Sequence, residues 1–154
     1  MRHFAAFNEE DVDLWGIVGL CHDLDYERFP NKHCAKTKEI LESENWDPII
    51  IRAIVSHGWG ICSDAEPISK MEKTLFAIDE LCGLIYACAL VRPDKKIAEV
   101  ELKSVKKKWK MKSFAAGANR ELITLGAKRL NVELDELINE TLAAMKNNSQ
   151  AIGL

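Results

Sequence analysis

Ser69-Lys70-Met71-Glu72-Lys73-Thr74-Leu75-Phe76-Ala77-Ile78-Asp79-Glu80-Leu81-Cys82-Gly83-Leu84-Ile85-Tyr86-Ala87-Cys88-Ala89-Leu90-Val91 is the most apolar helical pattern in this chain, and it decides the fold class. Apolar residues recur in it at three and four positions, the period of a helix with one buried face. Arg92-Pro93-Asp94 ends it, because proline removes a backbone donor and clashes with the preceding turn. The same period extends outward on both sides, and no alternating stretch of strand length interrupts it. The expectation is an all-α protein.

Upstream, Asn8-Glu9-Glu10-Asp11 offers caps and acids for a first helix running to about Leu24. Phe29-Pro30-Asn31 reads as a turn and residues 34–43 as a helix. Trp46-Asp47-Pro48 is a restart, with Asp47 as N-cap and Pro48 at the first helical position, and Gly58 is the expected left-handed stop. Downstream, helical pieces are expected around 103–110, 120–130 and 134–145, followed by a frayed tail over 147–154.

The chain has 154 residues, 47% hydrophobic and 29% charged, and lacks a Pro/Gly/Ser-rich linker, so one domain over 1–146 is expected. A net charge of -3 argues against a surface built for nucleic acid. Five cysteines, an odd number without C-x-x-C spacing, read as reduced and mostly buried thiols of a cytoplasmic protein. The N-terminus lacks the apolar run of a signal peptide, and 81–91 is too short to span a bilayer, so no membrane partner is expected.

Chemistry enters with the polar residues placed against this pattern. Asp79 has Leu75, Phe76, Cys82 and Gly83 as its neighbours one turn away, which puts a carboxylate on the buried face. A buried carboxylate must be protonated, paired with a cation such as Arg52, or bound to a metal. Glu72 lies on the same face. His22-Asp23 follows the apolar run Leu14-Trp15-Gly16-Ile17-Val18-Gly19-Leu20-Cys21. Adjacent helical residues diverge by about 100 degrees, so both reach one ion only if it sits beyond the helix end. His33 begins a helix and His57 ends one, so both stand where side chains from different elements can converge.

The strings Gly19-Leu20-Cys21-His22-Asp23-Leu24-Asp25-Tyr26-Glu27, Phe29-Pro30-Asn31-Lys32-His33, Ser56-His57-Gly58 and Phe76-Ala77-Ile78-Asp79-Glu80-Leu81 resemble the HD superfamily of metal-dependent phosphohydrolases, in particular its small prokaryotic HD-domain proteins. The resemblance implies an HD-domain helical bundle. His22 and Asp23 are then metal ligands, Asp79 the closing aspartate, and His33 and His57 the extra ligands of two-metal members. Asp23 carries the catalytic role, bridging two ions when both are present. One departure stands out: the family's leading histidine, on a helix well ahead of the His-Asp pair, would fall before Met1. His3 is too close to His22 to replace it. With that helix missing, Phe4, Phe7 and Trp15 are expected to lack cover, which makes a homodimer through that face the expected assembly.

The ligand types imply one or two divalent transition ions, Mn, Fe, Ni, Co or Zn, with Mg less suited. Such an ion lowers the pKa of water and polarises a phosphoryl oxygen, so the implied reaction is hydrolysis of a nucleotide or other small phosphate ester. Lys32, Arg92 and Lys95 are the cations expected to bind the substrate phosphate. The run Lys103, Lys106, Lys107, Lys108, Lys110 and Lys112 reads mainly as a solvated face, with Trp109 as a stacking ring in a competing nucleic-acid reading. A catalytically impaired HD module that binds a phosphorylated ligand or a partner protein is the alternative from another class.

Overall fold

The computed structural model describes residues 1–154 and is all-helical. Eight α-helices follow in order: α1 Arg2–Phe7, α2 Val12–Cys21, α3 Ala35–Ser43, α4 Pro48–Val55, α5 Lys70–Leu90, α6 Leu102–Trp109, α7 Arg120–Leu130 and α8 Leu134–Asn147. Short 3-10 turns lie at Pro30–Lys32, Ser56–Gly58 and Ile97–Glu99. The chain forms two compact units, Met1–Phe76 and Ala77–Leu154, with the boundary inside α5. No helix is long and apolar enough to cross a membrane.

In the first unit, caps decide where the helices begin. Asp11 accepts from Asp13 N and Leu14 N at 3.0 and 2.9 Å and starts α2. Asp47 accepts from Ile49 N at 2.8 Å, with Pro48 in the first turn of α4, as its sequence predicts. At α5, Ser69 and Glu72 form a capping box: Glu72 N donates to Ser69 Oγ at 3.2 Å and Ser69 N to Glu72 Oε2 at 3.1 Å. The buried Glu72 also takes Ile68 N at 2.6 Å and pairs with Arg52 Nε at 3.2 Å, so it is spent on its own helix end.

The core of this unit gathers Val18, Leu41, Ala53 and Ile54, where α2 and α3 pack on α4. The expected first helix is α2, which ends at Cys21, and an unpredicted short helix, α1, precedes it and packs against it. Phe4 and Trp15 are therefore buried at 7% and 2% exposure, and of the three residues expected to lack cover only Phe7 stands out, at 64%.

Gly58 is not the left-handed stop; that conformation falls at Gly60, with φ 79°. Gly58 is needed for space instead, since a Cβ there would collide with the sulfurs of both Cys34 and Cys62.

The second unit packs Leu81, Leu84, Ile85, Ile97, Val105, Ile123 and Ile138 into its own core. Gly126 lets α7 approach α5, because a Cβ would come within 2.5 Å of Ala77 Cα. Asn119 caps α7 by accepting from Glu121 N and Leu122 N at 3.0 and 3.2 Å. Left-handed Asn131 ends it at φ 57°, with Val132 N donating to Ala127 O at 3.1 Å. Beyond Asn147 the tail continues in hydrogen-bonded turns, with Leu154 N on Ser149 O at 3.0 Å.

Candidate metal centre

Helix α2 ends at Cys21, so His22 and Asp23 lie at and beyond its C-terminus, the condition under which neighbouring residues can converge. His33 follows the 3-10 turn Pro30–Lys32, and His57 sits inside the turn Ser56–Gly58 that ends α4. Three chain reversals thus bring four predicted ligands to one place.

Each imidazole is held by its Nδ1. His22 Nδ1 lies 2.8 Å from Gly19 O, and His57 Nδ1 lies 2.6 Å from Ile54 O. His33 Nδ1 lies 2.7 Å from Asp25 Oδ1. A carbonyl or carboxylate oxygen only accepts, so Nδ1 carries the proton in all three rings, and in a neutral ring Nε2 presents its lone pair.

Those Nε2 atoms converge. His33 Nε2 and His57 Nε2 are 3.0 Å apart, and Asp23 Oδ1 lies 3.4 Å from the first and 3.6 Å from the second. The other carboxylate oxygen, Asp23 Oδ2, is 3.5 Å from His22 Nε2. Two lone pairs facing each other at that separation repel unless a proton or a metal cation lies between them. Ligands about 2.1 Å from one ion stand about 3.0 Å apart at a right angle and about 3.4 Å apart at the tetrahedral angle. The Asp23, His33 and His57 donors fit that pattern, and they form one of two donor groups compact enough to hold an ion. The other is His33, Cys34 and Cys62.

Asp25 supports the set from behind. It is buried, takes Thr37 N on Oδ2 at 2.8 Å, and holds His33 through Oδ1. Burial by itself raises its pKa, but the hydrogen bonds from His33 and Thr37 outweigh that and hold the carboxyl below its ordinary range. A carboxylate behind a ligating histidine fixes the ring and raises its basicity. The side chain of His57 is 3% exposed whereas that of Asp23 is 48% exposed, so the cluster is walled on the histidine side and open at Asp23.

The remaining predicted residues are not among these donor groups. Asp79 is on α5 in the second unit, half-buried. Lys32 is exposed, directly before His33. Arg92 forks onto Asp94, Nε to Oδ1 at 3.0 Å and one terminal nitrogen to Oδ2 at 3.1 Å, which raises the arginine pKa and lowers that of the aspartate. Lys95 follows in the same turn with φ 51°.

In the lysine run, Lys106 meets Asp135 at 2.6 Å, Lys103 meets Glu101 at 3.1 Å and Lys108 stands 4.8 Å over the Phe114 ring. That is the pattern of a solvated, locally paired face. Lys107 and Lys108 border a cavity of 280 Å³ with Arg92, Ser104 and Cys88. Sequence reasoning missed Asp25 as a supporting carboxylate, although it stands two places after Asp23.

Comparison with known protein families, with curated proteins and with solved structures finds no match to this chain.

Proposed function

We propose that this chain is a metal-dependent phosphohydrolase of the HD type that acts on a small phosphate ester at the Asp23, His33 and His57 cluster. The observation that carries the metal part is the convergence of His33 Nε2, His57 Nε2 and Asp23 Oδ1 while the Nδ1 atoms are already engaged. Support for the reaction class comes from the resemblance of the His22-Asp23 and Ser56-His57-Gly58 strings to that superfamily, and from the open side at Asp23.

A divalent transition ion held there supplies Lewis acidity toward a phosphoryl oxygen and a nucleophile at neutral pH. The residues of the chain do the positioning. Gly19 O, Asp25 and Ile54 O orient the three rings, so little reorganisation accompanies ligation. Asp23 reaches His33 and His57 with one oxygen and His22 with the other, which lets its carboxylate bridge two positions. Lys32, exposed beside His33, is the cation this unit offers to a substrate phosphate.

Elemental analysis of the purified protein, combined with hydrolysis of an aryl phosphate with and without added Mn²⁺, tests the proposal. Bound transition metal, Mn²⁺-stimulated hydrolysis and loss of both in Asp23→Ala are expected. A protein that takes up no divalent ion on titration overturns it. Metal uptake without hydrolysis of any phosphate ester leaves the alternative of a ligand-binding HD module.

A further inference from the structure

The Cys34 and Cys62 sulfurs are 3.0 Å apart, inside ordinary non-bonded contact, although 28 positions separate them in the chain. Several features hold them there. Cys34 is the centre of a γ-turn with φ 64° and ψ -48°, closed by Ala35 N on His33 O at 2.8 Å, a left-handed conformation that costs strain. Gly58 leaves the space both sulfurs occupy, and its carbonyl takes the N–H groups of Ile61, Cys62 and Ser63 at 3.0, 2.9 and 3.1 Å, folding Cys62 back toward Cys34. Cys34 is fully buried, while Cys62 is half-buried and reachable from solvent. Cysteines placed only to fill a core would not require an absent Cβ and a strained turn to meet.

We propose that Cys34 and Cys62 form a dithiol site that a hydroperoxide oxidises to an intramolecular disulfide. The Cys62 thiolate attacks the peroxide, its O–O bond breaks, and Cys62 becomes a sulfenic acid while the alkoxide leaves as alcohol with the thiol proton. The Cys34 sulfur then attacks Cys62; the S–O bond breaks and hydroxide departs with the Cys34 proton as water. Two thiols lose two electrons, and the peroxide is reduced to one alcohol and one water. The division of labour follows from access: Cys34 is fully buried and Cys62 is not, so Cys62 meets the oxidant and Cys34 resolves it. The bond covalently joins the segment bearing His33 to the segment bearing His57. It does not depend on the metal-centre reading.

Peptide mapping of the full-length protein after brief treatment with hydrogen peroxide, followed by alkylation under denaturing conditions, tests the proposal. The tryptic peptides 33–36 and 53–70 are expected joined and lighter by two hydrogens, separable by dithiothreitol, with Cys21, Cys82 and Cys88 still alkylated. The oxidised chain is expected to melt on the order of 10 °C higher than the reduced one, because the loop is closed in the unfolded state as well. A bond to any other cysteine, a bond between chains, or Cys62 accumulating as sulfinic acid without a partner overturns the proposal. So does a pair that reacts only after a chelator has stripped a metal from it, since the thiols then belong to an ion. Metal uptake by Asp23, His33 and His57 is measured separately in Cys34→Ser/Cys62→Ser, which distinguishes failure of this site from failure of the metal centre.

Discussion

Two irregular stretches, 22–34 in the first unit and 110–119 in the second, are each organised by ionisable nitrogen groups, yet they are organised oppositely. In the second, the Arg120 guanidinium meets five carbonyls: Trp109 at 3.3 Å, Ala115 at 3.1 Å, Ala118 at 2.8 Å, Met111 at 3.4 Å and Phe114 at 2.5 Å. Arginine has five N–H donors, so donors and acceptors balance and nothing in that group calls for a ligand. In the first, every ring donor is spent outward and the acceptors of His33, His57 and Asp23 face one another. A polar cluster that closes on itself holds a fold together, whereas one whose acceptors converge needs a proton or a metal cation between them to be at rest.

The largest effect expected from breaking this contrast is at Arg120. Arg120→Ala strands five carbonyls and should lower the unfolding free energy by on the order of 3 kcal/mol in urea melts, well above an ordinary surface substitution. Arg120→Lys should rescue little, since an ammonium offers three donors from a point and not five in a plane. A variant within about 0.5 kcal/mol of the parent would mean that water satisfies the loop and that the closed network is incidental.

Next in size is Asp25→Asn, which sharpens the other half of the contrast. The carboxylate takes two donors, from His33 Nδ1 and Thr37 N. An amide has one accepting oxygen, so its NH₂ must face one of them. Facing His33, it moves the ring proton to Nε2, where the ion should bind. Metal affinity should therefore fall by roughly 10- to 100-fold, the usual worth of such an outer partner, with the change read by titration calorimetry. Unchanged affinity would show that His33 is not a ligand.

Much of this arrangement was legible in the sequence because it rests on local chemistry. Asp11, Asp47-Pro48 and the proline after α5 mark helix ends by rules that need only neighbouring residues, and the helices lie where they point. His33 and His57 were legible as candidates because they stand at element ends. Short α1 was not, since Met1 at its N-cap supplies no side-chain capping hydrogen bond, and six residues hardly establish a period. Glu72 shares the face of Asp79 in the periodic pattern, but it also stands three places after Ser69 ahead of an apolar run, a capping-box spacing that neighbouring residues do encode; only its pairing with Arg52 depends on the fold. Asp25 and the cysteine pair were illegible for one physical reason: their roles arise from chain reversals at 22–33 and 58–63, and no periodic pattern encodes which residues a reversal brings face to face.

The smallest effect concerns Thr37, where the contrast between satisfied and unsatisfied groups reaches a single hydroxyl. Thr37 is fully buried, and its backbone N–H holds Asp25, yet its Oγ1 meets no partner in hydrogen-bond geometry, although it lies near enough to help stabilise the Asp25 carboxylate. The hydroxyl therefore contributes through its dipole and not through a formed bond. Thr37→Val keeps the volume, the β-branch and the N–H bond while removing an orphaned polar atom whose burial is itself a cost. Stability should therefore stay within about 0.5 kcal/mol of the parent, and metal affinity should fall less than in Asp25→Asn. A loss on the order of 2 kcal/mol would instead reveal a real O–H bond to Asp25. The support behind His33 would then be a three-donor carboxylate, and Asp25→Asn should cost correspondingly more.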